Sequence, residues 1–426
     1  MKLARNLFFI LSASLLLIVS CEKKPHPTPD PVIKVDTVVT RHVTCDTLSC
    51  DTTIRDTVIN IDNDLVVVAY CAYYGNKLPD PNYLTHLIYS SAELSVVNNV
   101  YQKILLFDPA SKQRENRFRA MLALKEKNPN LKVMVSIAHV CDITGNSQGG
   151  SFSAISKDST QRQHFAQDCR ALCDEYGLDG IDINWELPGI SESGAACDSM
   201  VDTDNFNLLM RDLREALGPD LYLTYAGHNR FKEKYGNGWR FMDNTAVYPY
   251  ISWVNVMCYG LDVAPKPQNA ISEPTAFTDC FRVYKNYRDN QFPMDKFVLG
   301  VPFYTRSPYV KGEWYYSTIM EMIKYQPNTY KIKRNSNWHV PYVTKNGEMV
   351  GSFEDPESLA YKGEWLQGKG MHGMMWWDTN GDDNKHSLQK AAWNALKTQT
   401  LHDTIFTFTL DSIITYDTIL INDTVR

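Results

Sequence analysis

Eight short apolar runs, spaced along most of the chain and alternating with helical patterns, constrain its fold more than any other feature. They are Leu65–Cys71, His86–Ala92, Lys132–Ala138, Gly180–Glu186, Tyr222–Ala226, Val254–Tyr259, Phe297–Pro302 and Gly373–Trp377. Helical periodicity separates several of them. From about Thr160 to Tyr176, Phe165, Cys169, Leu172, Cys173 and Tyr176 share one face, and Gly177 supplies the stop. A second helix starts near Asp204, buries Phe206, Leu209, Leu213 and Leu217, and stops at Gly218-Pro219. Strands alternating with helices imply a parallel sheet. Eight of them fit a (β/α)8 barrel over residues 64 to 398 better than an open doubly wound sheet, with a modest insertion between the seventh and eighth strands around residues 306 to 365. The sequence contains no glycine-rich dinucleotide or phosphate-binding loop.

The fourth run carries the chemistry. In Asp179-Gly180-Ile181-Asp182-Ile183-Asn184-Trp185-Glu186-Leu187-Pro188, side chains of a strand alternate, so Asp182, Asn184 and Glu186 share one face. Ile181, Ile183 and Trp185 take the other. Polar groups converging on the inner face near a barrel strand's C-terminal end occupy the usual place of catalytic groups. A carboxyl group crowded there tends to keep its proton, as a general acid must. The competing reading is an edge strand with a solvated face, for which a Gly-Ile-Asp-Ile core is poor material. Asp179 has the opposite parity and belongs at the strand entrance.

This segment resembles the family 18 glycoside hydrolases, chitinases and endo-β-N-acetylglucosaminidases, whose fourth strand reads D-G-x-D-x-D-x-E. Asp179, Gly180, Asp182 and Glu186 match, and Asn184 stands where the family has aspartate. Other runs resemble the family's strands in order: Leu84-Thr85-His86-Leu87-Ile88-Tyr89, Met257-Cys258-Tyr259, Leu299-Gly300-Val301-Pro302-Phe303-Tyr304 and Gly373-Met374-Met375-Trp376-Trp377. Val340-Pro341-Tyr342 and Phe353-Glu354-Asp355-Pro356-Glu357-Ser358 resemble the region before the last strand. Two further departures stand out. Ser136-Ile137-Ala138-His139 replaces Ser-x-Gly-Gly, and Gly260 follows Tyr259 where the family has aspartate.

The resemblance implies a reaction in which the substrate's own 2-acetamido group is the nucleophile. It makes Glu186 the acid, gives Asn184 the position that orients the acetamide, and makes Asp182 their support or a direct participant. It puts Tyr259 on the acetamide oxygen and Trp377 under the sugar ring. Met257 and Tyr304 stand beside the same site, where their side chains also suit packing. His139 and His228 are lone histidines near strand ends. Asn184 can accept a hydrogen bond but supplies no negative charge. Losing a charge beside a developing cation in a dry site costs about 2–4 kcal/mol, or roughly 10²–10³ in rate. Two functions follow: a slow retaining glycosidase acting on β-1,4-linked N-acetylglucosamine, or a non-hydrolytic glycan-binding protein on the same barrel. Neither implies a metal or organic cofactor, and no Cys/His spacing reads as a zinc site.

The chain's ends differ in style. Lys2 and Arg5 precede a short apolar stretch, Leu7 to Val19, too short for a comfortable membrane span. It closes in Ile18-Val19-Ser20-Cys21, which looks like a bacterial lipobox: residues 1–20 read as a signal peptide and Cys21 as a lipidated anchor to the membrane. A plain signal peptide is the alternative. Residues 21–63 read as a linker with Asp-Thr pairs at 36, 46, 51 and 56, and residues 399–426 as an extended tail of the same style. The two ends either pair with each other or form a flexible stalk. A formal net charge of −6 argues against a nucleic-acid partner. Nine cysteines besides Cys21 leave at least one outside any disulfide. Cys169 and Cys173 read as small core residues rather than a bridge.

Overall fold

The computed structural model describes residues 34–45, 48–108, 111–138, 152–190, 196–272, 279–306, 313–410 and 419–422. The lipobox cysteine Cys21 and His139 lie outside them. The chain divides into two compact units, Ile61–Thr400 and a unit built from the two ends.

The larger unit is a closed barrel of eight parallel strands: β1 Val66–Ala72, β2 His86–Val97, β3 Lys132–Ala138, β4 Gly180–Asn184, β5 Tyr222–Gly227, β6 Trp253–Val256, β7 Phe297–Pro302 and β8 Gly373–Trp377. Each strand pairs in parallel with its neighbour in sequence, and β8 closes on β1. This is the (β/α)8 barrel expected from the eight apolar runs. Strand alternation divides each run between two cores. Val66, Val68 and Tyr70 point into the barrel with Ile88, Met134, Trp253, Val298 and Met375. Val67, Ala69 and Cys71 point out into the larger core beneath the helices.

Local chemistry sets the helix ends. Helix Ser159–Tyr176 starts at Asp158, whose side chain accepts from the backbone N–H of Gln161, and ends at Gly177 in the left-handed conformation (φ +62°). Its face of Phe165, Ala166, Cys169, Leu172 and Cys173 is buried, so both cysteines serve as core residues and are free thiols. Helix Asp202–Leu217 buries Phe206, Leu209, Leu213 and Leu217 and stops at Gly218. Gly180 opens β4 because nothing larger fits: a Cβ there would lie 2.3 Å from the Tyr222 carbonyl oxygen of β5.

Three features go beyond the sequence reading. β2 runs on past Ala92 to Val97 and turns back into strand Val100–Leu105 through Asn98 and Asn99, both at positive φ (51° and 63°), a backbone that asparagine tolerates in a two-residue hairpin. A short hairpin of Glu233–Tyr235 and Gly238–Arg240 follows β5. The insertion before β8 holds a three-stranded antiparallel sheet, Tyr330–Asn335, Val340–Lys345 and Glu348–Ser352. In the smaller unit, strands Lys34–Cys45, Leu48–Asn60, Thr398–Leu410 and Ile419–Asn422 form one sheet in that order, so segments from both ends of the chain pair.

Candidate active site

The inner face of β4 points up the barrel axis. Asp182 is its deepest polar group and is completely buried. Side chains from four other strands meet it. Thr224 Oγ1 of β5 donates to Oδ1 at 2.6 Å, and Asn255 Nδ2 of β6 reaches the same oxygen at 3.3 Å. Ser136 Oγ of β3 donates to Oδ2 at 2.7 Å, and the Tyr70 hydroxyl of β1 does so at 3.1 Å. Trp253 Nε1 donates to Asn255 Oδ1 at 3.0 Å, which fixes that amide with its NH2 toward Asp182 and the Tyr70 oxygen. Burial pushes the Asp182 carboxyl above the usual range, opposed by the bonds from Thr224, Ser136, Tyr70 and Asn255. The Tyr70 hydroxyl is pushed well above its ordinary value by burial and by the neighbouring Asp182.

Above this network lies an open cavity of about 180 Å3, lined by Tyr70, Asn184, Glu186, Ala226, Met257, Tyr259, Tyr304, Met375 and Trp377. That is smaller than a typical ligand cleft of ~300–1,000 Å3. Asn184 and Glu186 are half-buried at its wall. Strand pairing of β4 ends at Asn184, short of the expected end at Glu186. Glu186 thus projects from the first residues of the loop, where the mouth widens. Tyr259 follows β6 and meets the Tyr304 ring edge-on, with centroids 6.1 Å apart. Trp377, the last residue of β8, leans on Tyr70 at 5.8 Å. Glu186 is the one carboxyl among the lining residues, and Asp182 sits beneath them.

All the sequence-designated groups in the described chain therefore come together: Glu186, Asn184, Tyr259, Trp377, Met257 and Tyr304 around the cavity, Asp182 under it. Trp185 points the other way, into the helical layer, stacked on Phe152 at 5.5 Å. Asp179 sits at the strand entrance, where Oδ2 accepts from Val133 N and Lys125 Nζ, both at 2.7 Å. His228 stacks on Phe241 at 4.3 Å, and burial pushes its imidazole down to about 4. The sequence reading did not single out Tyr70, Thr224 or Asn255, nor the role of Ser136. Their only signal is a polar group at an inward position of an apolar strand. Among the described residues, no three His, Cys, Asp or Glu side chains are grouped to hold a metal ion.

The family model for glycosyl hydrolases family 18 matches residues 66–382, from β1 to just past β8. The chain belongs to this family. It is 26% identical over 340 residues to the endochitinase of Manduca sexta, an alignment covering 70% of this chain and 58% of that protein. It is likewise 26% identical over 341 residues to chitinase 1 of Aphanocladium album, covering 70% of this chain and 75% of that one. Among solved structures, the Group IV chitinase of Ostrinia furnacalis shares the fold with a TM-score of 0.65 at 23% identity, covering 78% of this chain and 99% of that chain.

Proposed function

We propose that the protein is a retaining glycosidase that cleaves β-1,4-linked N-acetylglucosamine, in chitin-like polymers or N-glycan cores, by substrate-assisted catalysis. The observation that carries this is the grouping of Glu186, Asn184 and Tyr259 around one cavity above a fully buried, fourfold hydrogen-bonded Asp182. Family membership and the chitinase relatives support it. The sugar whose bond is cut lies over Trp377 with its acetamide toward Asn184 and Tyr259. Glu186 enters protonated and gives its proton to the glycosidic oxygen as the C1–O bond breaks. The acetamide carbonyl oxygen attacks C1 and closes an oxazolinium ring. Glu186, now a carboxylate, takes a proton from water, which opens the ring at C1 with net retention. Asn184 holds the acetamide N–H through its carbonyl oxygen. It offers the oxazolinium a dipole and no charge, so turnover is slow.

Incubating the purified protein with chitin oligomers and with a high-mannose N-glycoprotein tests the reading and separates the two substrates. The second reading, a glycan-binding protein without turnover, is favoured by Asn184, Gly260 and the Ser136-Ile137-Ala138-His139 sequence. Oligomer binding with no product from either substrate would establish it. We further propose that Cys21 carries a lipid that anchors the protein at a bacterial membrane, facing the periplasm or cell surface. Mass spectrometry of the mature N-terminus should find an acylated cysteine, and an unmodified soluble N-terminus would refute the anchor.

A further inference from the structure

Glu186 stands on the first residues after β4, and one buried carboxyl ties down the backbone just beyond it. On either side of Glu186, Trp185 and Leu187 are buried in the core beneath the helices. Trp185 meets Phe206 of helix Asp202–Leu217 at 5.9 Å. The first residue of that helix, Asp202, is completely buried. Its Oδ2 accepts from the backbone N–H of Gly189 at 3.3 Å and of Asp198 at 2.6 Å, and its Oδ1 accepts from Ser153 Oγ at 2.6 Å. Burial pushes the Asp202 carboxyl above its usual range, opposed by these three bonds. Gly189 lies three residues beyond Glu186. Its other side is closed: φ is +75°, and a Cβ there would collide with the Trp239 carbonyl oxygen. Phe241 N donates to the Pro188 carbonyl oxygen at 3.0 Å. The backbone after Glu186 is thus clamped between Asp202 on one side and the hairpin after β5, with Phe241, on the other. Asp202 itself does not line the cavity.

We propose that Asp202 is a positioning residue for proton donation: by holding the backbone at Gly189 it sets where Glu186 stands against the glycosidic oxygen. This rests on the reading of Glu186 as the acid of an N-acetylglucosaminide hydrolase. A well-placed acid is worth roughly 10²–10⁴ in rate, and misplacing a reacting group by about 1 Å costs about 10²-fold. An asparagine at 202 keeps one acceptor oxygen for the two backbone N–H groups and turns its NH2 to Ser153 Oγ, which can accept. Only the charge is lost, and a charge-assisted bond is about twice as strong as a neutral one. An alanine removes the tie altogether.

Dependence on the leaving group separates this role from a merely structural one. The assay compares kcat/KM for the chitin tetramer and for the dinitrophenyl β-glycoside of the chitin dimer, in the natural protein, Asp202→Asn and Asp202→Ala. A departing sugar needs the proton from Glu186, and dinitrophenolate leaves without it. A displaced acid therefore slows the first substrate and spares the second, whereas a damaged fold slows both alike. In Asp202→Ala the tetramer value should fall about tenfold more than the dinitrophenyl value, and in Asp202→Asn about threefold more. Equal losses on the two substrates in Asp202→Asn, or no loss, would overturn the proposal even where Asp202→Ala fails to fold. No turnover of either substrate by the natural protein would overturn the glycosidase reading itself, and the positioning role with it.

Discussion

The Tyr70 hydroxyl donates to Asp182 Oδ2 at 3.1 Å across the centre of the barrel, joining the first and fourth strands directly beneath the cavity. Tyr70 also forms part of the cavity wall. One side chain therefore links the buried carboxyl to the surface a sugar would touch. Tyr70→Phe removes a donor from a buried acceptor, which costs about 1–3 kcal/mol. It also pushes Asp182 further toward its neutral form. Chemical denaturation should show that loss, and oligosaccharide turnover should drop with it. Unchanged stability would mean that the hydroxyl contributes nothing to holding Asp182.

In the proposed mechanism, Asn184→Asp places a charge beside the oxazolinium without added volume. A second carboxylate near Glu186 also helps that acid keep its proton. Turnover of chitin oligomers should rise about 10²-fold. No gain in single-turnover assays would mean that Asn184 does not limit turnover.

Trp377 ends β8 with its ring half-exposed at the cavity, propped by Tyr70. A desolvated aromatic platform at a binding hot spot is worth about 2 kcal/mol or more, so Trp377→Ala should weaken oligomer binding at least roughly tenfold. Unchanged affinity in a folded variant would make the residue part of the packing.

The same barrel interior makes stability depend on pH at its opposite end. His86 opens β2 against the rings of Tyr222 and Trp253, both at 4.8 Å, and its Nε2 has no hydrogen-bond partner among the described residues. Burial, then His372, Lys132 and Lys397, push the imidazole down to about 3. Between pH 6.5 and 3 the unfolded chain binds a proton that the native chain does not, so stability falls as pH falls through that window. The loss from this group reaches about 2 kcal/mol at pH 5. The Tm difference between His86→Phe and the natural protein should move in favour of the variant as pH drops from 7 to 5. A difference constant with pH would show that His86 does not couple folding to protons.

The barrel was legible because its strands are apolar runs of the right length, and Lys132–Ala138, Phe297–Pro302 and Gly373–Trp377 match the observed ends residue for residue. The polar row of β4 was legible because period-two alternation makes Asp182, Asn184 and Glu186 conspicuous on one face. The support around Asp182 was not. Tyr70, Ser136, Thr224 and Asn255 each contribute one polar atom from a different strand, and only barrel closure brings residues so distant in sequence to one carboxyl group. The insertion's sheet was hidden for another reason. Strands such as Tyr330–Asn335 are largely exposed and charged, so they lack the apolar pattern that marks a strand in sequence.

The most direct measurement is time-resolved proton NMR of a chitin oligomer during hydrolysis by the natural protein and by Glu186→Gln. Acetamide attack with Glu186 as acid and base requires the new reducing end to appear first as the β-anomer, and the variant to release no product. A first-formed α-anomer, or product at an unchanged rate from Glu186→Gln, would contradict the account.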